Sequence, residues 1–118
     1  MIGKKHRFHG YGSLKYVYSH GQTVRGPLFS IKTVANPKRS SYRLAVVVSR
    51  KVAKSAVKRN RIRRRLFEAV RQFEAQLLPQ DIIITVFHET VIDLPSKQLS
   101  EQVKKQLKTA NVLGVHST

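Results

Sequence analysis

Between Arg50 and Arg65 the chain reads RKVAKSAVKRNRIRRR: nine basic side chains (Arg50, Lys51, Lys54, Lys58, Arg59, Arg61, Arg63, Arg64, Arg65), one asparagine, Asn60, and no acid. Like charges at that density repel one another, and near a helix start they also oppose the positive end of the backbone dipole. An exposed helix face ordinarily mixes signs at i,i+4, whereas here the repulsion is left standing. The arrangement suits anion binding. A planar guanidinium bonds phosphate bidentately and stacks on a base, the first helical turn adds unpaired N–H groups, and Asn60 supplies both a donor and an acceptor. A solvated face, a targeting signal or a membrane patch would use the same cations, but the density and single sign favour nucleic acid.

The rest of the sequence offers little chemistry of its own. The six acids, Glu68, Glu74, Asp81, Glu89, Asp93 and Glu101, are scattered, with Asp81 and Glu89 at opposite ends of one predicted strand, and make no acid/base pair or two-metal set. His6, His9, His20, His88 and His116 lack metal-ligand spacing on any predicted helix. With no cysteine, disulfides, thiolate nucleophiles and cysteine-based zinc sites are excluded. The expectation is a protein with no catalytic residue and no metal site.

Hydropathy patterning supplies the elements that must carry the basic cluster. Residues 1–12 have no periodicity and are expected to be a flexible basic arm. Ser13 offers an N-cap to a short helix through Leu14, Val17 and Tyr18, which Gly21 ends. A short edge strand is expected over Thr23 to Arg25. After Gly26-Pro27, the run LFSIKTVA alternates Phe29 and Ile31 against Ser30 and Lys32, a half-buried strand. Beyond a loop at Asn36 to Ser40, YRLAVVVS is a strand expected to return antiparallel. From about Val57 the residues Ile62, Leu66, Ala69, Val70, Phe73 and Leu77 form one helical stripe, which Pro79 closes. It sends Asn60, Arg61, Arg64 and Arg71 to the opposite side. DIIITVFH then suits a sheet interior, and a last helix runs from Ser96 through Leu99, Val103 and Leu107. The order implies an α+β sandwich in one domain, 13–114, with a short tail at 115–118.

The chain has 118 residues, 23 Lys plus Arg against six acids, and a net charge of +17. Such an excess opposes the compact state by self-repulsion, so a polyanionic partner is expected. No apolar run approaches the ~18 residues of a membrane span, and the cytoplasm is the expected compartment. A DNA-binding helix-turn-helix is excluded, because no second helix closely precedes Arg59.

The segment SRKVAKSAVKRNRIRRRLFEAV resembles the signature of the bacterial ribonuclease P protein subunit: a strand ending in Ser or Ala and two basic residues, then an Arg-Asn-Arg core entering a helix. Here the core is Arg59, Asn60 and Arg61, followed by Arg63 and Arg64. The upstream LKYVYSHGQTVRGPLFSIKTV is similar to the family's first helix, turn and strand, and the likeness runs from about Leu14 to Gly114. It implies a mixed four-stranded sheet with a left-handed βαβ crossover, and a subunit of an endoribonuclease that removes the 5′ leader of precursor tRNA. The chemistry would belong to a catalytic RNA with its Mg²⁺. The implied partners are that RNA and precursor tRNA, with no DNA and no membrane.

Carried over by position, Arg50, Lys51, Arg59, Asn60, Arg61, Arg63 and Arg64 would bind the catalytic RNA. Leu14, Tyr18 and Lys32 would line a leader cleft between the first helix and the open sheet face. Leu14 and Lys32 stand where the family usually has aromatics, so stacking rests on Tyr18, which helical spacing alone would assign to the core. Ala53 stands where many members have Gly. A structural ribosomal protein of similar fold, with no role in cleavage, matches the charge and size equally well; the Arg-Asn-Arg core separates the two.

Overall fold

The computed structural model describes residues 11–35 and 41–112. The expected arm up to residue 10, the loop at 36–40 and the tail at 115–118 lie outside them. Helix α1 spans Tyr11–His20, followed by strands β1 (Gln22–Arg25), β2 (Phe29–Ala35) and β3 (Arg43–Val47), helix α2 (Ala56–Arg71), strand β4 (Gln80–Val86) and helix α3 (Ser96–Thr109). α1 begins ahead of Ser13, which is therefore inside the helix rather than its N-cap. Tyr11 precedes Leu14 by three residues, so the apolar period itself reaches one turn further back. Gly21 ends α1 with its N–H 2.7 Å from the Val17 carbonyl. A Cβ at residue 21 would come within 2.6 Å of that oxygen and 2.9 Å of Lys32 Cγ, so only glycine lets the helix end pass this close to β2.

The sheet order is β1-β2-β4-β3, antiparallel except for the β3–β4 pair, which is parallel. β3 thus runs antiparallel to β2 as expected, but its hydrogen-bonded neighbour is β4. Ile82, Ile83 and Ile84 are all fully buried, and a strand apolar on both faces takes the interior position. β4 therefore lies between β2 and β3, and α2 is the crossover that a parallel connection needs. One sheet face carries Phe29, Ile31, Leu44, Val46, Ile82, Ile84 and Val86 into a core with Ile62, Leu66, Ala69 and Val70 of α2 and Leu99, Val103 and Leu107 of α3. On the other face Ile83 is covered by α1, whose Val17 is fully buried.

Arg43 and Asp81 face each other across the parallel pair. Two bonds join them, Nε to Oδ1 at 2.9 Å and Nη2 to Oδ2 at 2.8 Å, and both side chains are buried. This fork-to-fork geometry fixes the register of β3 on β4. α2 ends at Arg71 and does not continue to Pro79. A 3-10 turn at Glu74–Gln76 brings the chain round instead, and Phe73 and Leu77 pack on the core from outside the helix. Tyr42 Oη donates to Glu74 Oε1 at 2.7 Å and holds that turn against β3; burial, then this bond, pushes the phenol pKa well up.

Removing one member of a buried ion pair leaves its partner's charge in a poor solvent. Asp81→Ala should therefore cost ~3–5 kcal/mol in urea unfolding, whereas Arg43→Met with Asp81→Leu should cost far less. A single-variant loss below about 1 kcal/mol, the range of an exposed pair, would show that the bridge does not fix the register.

Candidate nucleic-acid interface

The loop between β3 and α2 turns on Ser49, whose carbonyl accepts from Val52 N at 3.1 Å and Ala53 N at 3.2 Å. Ala53 is buried and does not have a positive φ, so the loop closes without the left-handed conformation that glycine would allow. Ser55 caps α2 through its Oγ, which accepts from Lys58 N at 3.4 Å. Arg59 folds back on this loop, donating from Nη1 to the carbonyls of Ala53 at 3.0 Å and Lys54 at 2.8 Å. One member of the Arg-Asn-Arg core therefore positions the loop that presents Arg50, Lys51 and Lys54, all exposed. Arg65 has a similar role further along the helix. Its guanidinium donates to the carbonyls of Val91 at 2.5 Å and Ile92 at 2.6 Å, and also to that of Leu94, tying the chain before α3 to α2.

The remaining cations are presented outward. Arg63 Nη2 donates to Asn60 Oδ1 at 2.5 Å, which aligns the two side chains. Arg61 and Arg64 are exposed and have no hydrogen-bonding partner among the described residues. The acids near this surface are paired: Glu68, which lines one hollow with Arg64 and Arg65, bonds Arg71, and Glu89 makes an exposed 3.2 Å pair with Lys58 that contributes little. Asp81 pairs with Arg43 and Glu74 with Tyr42. Among the described residues no three His, Asp or Glu side chains converge as metal ligands.

The second region is the sheet face under α1. Tyr18 is 46% exposed while Val17 is fully buried, so Val17 is the core residue of α1 and Tyr18 looks over the sheet. Lys32 Nζ lies 5.7 Å from the centre of the Tyr18 ring, within cation–π range. Leu14 is half-buried on the same helix. The structure thus brings Tyr18 and Lys32 together. Register adds residues that the sequence reading passed over. Arg25, Ser30, Thr85 and Val47 lie in one row across all four strands, with none of their side chains fully buried. Beside that row the Arg25 guanidinium sits 4.7 Å over the Phe87 ring. Strand parity was the signal, since Phe87 is two residues from Thr85, but its place in an apolar run hid it.

The two regions meet at the end of β3. Val47 closes the open row, and Arg50 and Lys51 follow it by three and four residues. A single-stranded polyanion lying on the sheet could thus run on to the basic loop.

The family model for ribonuclease P matches residues 2–111. A ribonuclease P protein component from Pseudanabaena sp. (strain PCC 6903) is 35% identical over 115 residues, covering 96% of this chain and 97% of its own. Another, from Chloroflexus aurantiacus, is 40% identical over 98 residues, covering 82% and 71%. Among solved structures, a Staphylococcus aureus RNase P protein mutant with defective mRNA degradation activity superposes with a TM-score of 0.83 at 27% identity, covering 93% and 92%.

The hydrogen bonds divide the arginines by role. Arg61→Ala should weaken RNA binding by ~1–3 kcal/mol if it makes a paired contact, and lower the salt slope by roughly one phosphate. Arg65→Ala should instead lower the urea midpoint, since carbonyls of the 91–94 segment lose their donor, at ~1–3 kcal/mol. Equal effects of both variants on the salt slope would remove the distinction.

Proposed function

The chain belongs to the ribonuclease P protein family, and on that premise we propose that its basic crossover docks on the catalytic RNA while the open sheet face holds the single-stranded 5′ leader of precursor tRNA. Its role is in tRNA 5′ processing, as the protein subunit of an endoribonuclease holoenzyme. A structural ribosomal protein has no support from the relatives, and that reading gives way. The observation that carries the proposal is the single-sign surface from Arg50 to Arg64, in which Arg61 and Arg64 have no partner among the described residues.

Among the described residues no group of three His, Asp or Glu side chains converges as metal ligands. Mg²⁺ is assigned to the RNA, where it would supply the hydrolytic chemistry. The protein's contribution is electrostatic: Arg50, Lys51, Arg61, Arg63 and Arg64 neutralise phosphates that would otherwise repel one another where substrate and catalytic RNA meet. Arg59 supports that surface by holding the loop carbonyls. On the other side of the sheet, Tyr18 offers a ring face to a leader base and Lys32 offers its charge to the adjoining phosphate.

Reconstitution tests the assignment. The protein should restore cleavage of precursor tRNA by ribonuclease P RNA at a Mg²⁺ concentration too low for the RNA alone. The Staphylococcus aureus relative carries an mRNA degradation activity, defective in its mutant, so a second arm incubates this protein alone with precursor tRNA and with an mRNA. Both should stay intact. Cleavage by highly purified protein would place the active centre in the protein and overturn the proposal.

Because Tyr18 is exposed, its truncation should leave the fold intact. Tyr18→Ala should cost the holoenzyme ~1–3 kcal/mol in precursor tRNA affinity, toward the lower end because Leu14 and Lys32 supply no rings, with mature tRNA unaffected. A large drop in melting temperature with no leader dependence would return Tyr18 to the core.

A further inference from the structure

Among the described residues the open sheet face has two cation–aromatic pairs, of which the one at Tyr18 and Lys32 belongs to the cleft under α1. The other is Arg25 over Phe87, at the far side of the uncovered row Arg25, Ser30, Thr85 and Val47. We propose that Arg25, held over Phe87, is a second leader contact, reached only by nucleotides beyond those at Tyr18.

An exposed arginine at a strand end ordinarily samples many rotamers, and ordering it for a ligand is unfavourable. Here the guanidinium is held 4.7 Å from the centre of the half-buried Phe87 ring while Arg25 stays exposed, so the ring limits the rotamers without covering the charge. A planar guanidinium is itself a stacking surface for a base while its N–H edge bonds phosphate. Arg25 is in register with Ser30, two residues or ~7 Å from Lys32 along the strands, and Phe87 lies four residues or ~13 Å beyond Ile83, the register partner of Lys32, so the second pair sits further along the sheet than the first. Between them Ser30 and Thr85 present hydroxyls able to bond a base edge or a 2′-OH.

By strand parity the charged residues on this face are Arg25, Lys32 and the buried Arg43–Asp81 pair, so the exposed charges are both positive. A single strand of RNA meets cations at both stations and no exposed carboxylate between them. Without Phe87 the same arginine would be one more diffuse positive charge.

The inference rests on the leader reading of the Tyr18 cleft, and the experiment separates the two. Holoenzyme reconstituted with ribonuclease P RNA is titrated with precursor tRNAs whose leaders grow one nucleotide at a time, and with mature tRNA. Wild-type affinity should rise in two steps as the leader lengthens. Tyr18→Ala should remove the first, while Arg25→Ala should remove only the second, about fivefold at the low end of stacking strengths. Arg25→Lys keeps the charge without the plane and should recover only a fraction of that step. Phe87→Leu, apolar but ringless, should behave like Arg25→Lys. If Arg25→Ala weakens every leader length and mature tRNA alike, Arg25 is a general electrostatic contributor and the proposal falls. It falls equally if Arg25→Ala changes nothing while Tyr18→Ala still acts. Silence of both variants would sink the leader reading itself.

Discussion

Ile82, Ile83 and Ile84 are consecutive and all fully buried, so β4 needs apolar cover on both faces at once. α2 and α3 cover one face and α1 the other. The rest of the architecture follows from that demand. With β4 interior, β3 takes the sheet edge in parallel, its register held by the Arg43–Asp81 fork, and the chain must cross the sheet through α2 to return. The crossover puts the basic run on a helix whose inner stripe is pinned by Ile62, Leu66, Ala69 and Val70. Its outer side is therefore rigid. α1 leaves some of the second face uncovered, and that remainder is the open row that the proposal gives to RNA.

Charge is not balanced within the chain. A net +17 cannot be neutralised from within by six acids, and four of those acids are already paired. Asp81 and Glu74 brace β3, and Glu68 pairs locally with Arg71. The crossover surface is left positive, and arginines that could have added to its repulsion are turned to structural use. Arg59 holds the loop before α2 and Arg65 the segment before α3, each through backbone carbonyls. These bonds convert some of a repulsive cluster into the scaffold that presents the rest.

Much of this was legible in the sequence. Alternation located β2, the apolar run placed β4 in the interior, and the 3.6-residue stripe gave the inner face of α2 and the course of α3. The direction of β3 against β2 was legible but its partner was not: the pattern of β3 states which side chains face inward and not which neighbour it pairs with. The end of α2 failed for a related reason. Phe73 and Leu77 continue the helical spacing, yet they reach the same core from a 3-10 turn. Within the site, Arg61 and Arg64 stand as the helical wheel placed them, whereas the task of Arg59 depends on how the loop before α2 folds back and that of Arg65 on carbonyls that tertiary structure brings into reach. Arg25 and Phe87 were invisible because their proximity is set by register across β1, β2 and β4.

The central claim is that the loop and first turn of α2 form the docking surface for the catalytic RNA. Hydrogen exchange tests it most directly, because the first-turn amides of Ala56 and Val57 precede the Ser55 cap bonds at Lys58 and Arg59 and have no acceptor among the bonds of the described residues. Adding ribonuclease P RNA to the protein should slow exchange from Arg50 to Lys58 and leave the outer face of α3 unchanged. Protection confined to α3, with the 50–58 segment exchanging as in the free protein, would contradict the account.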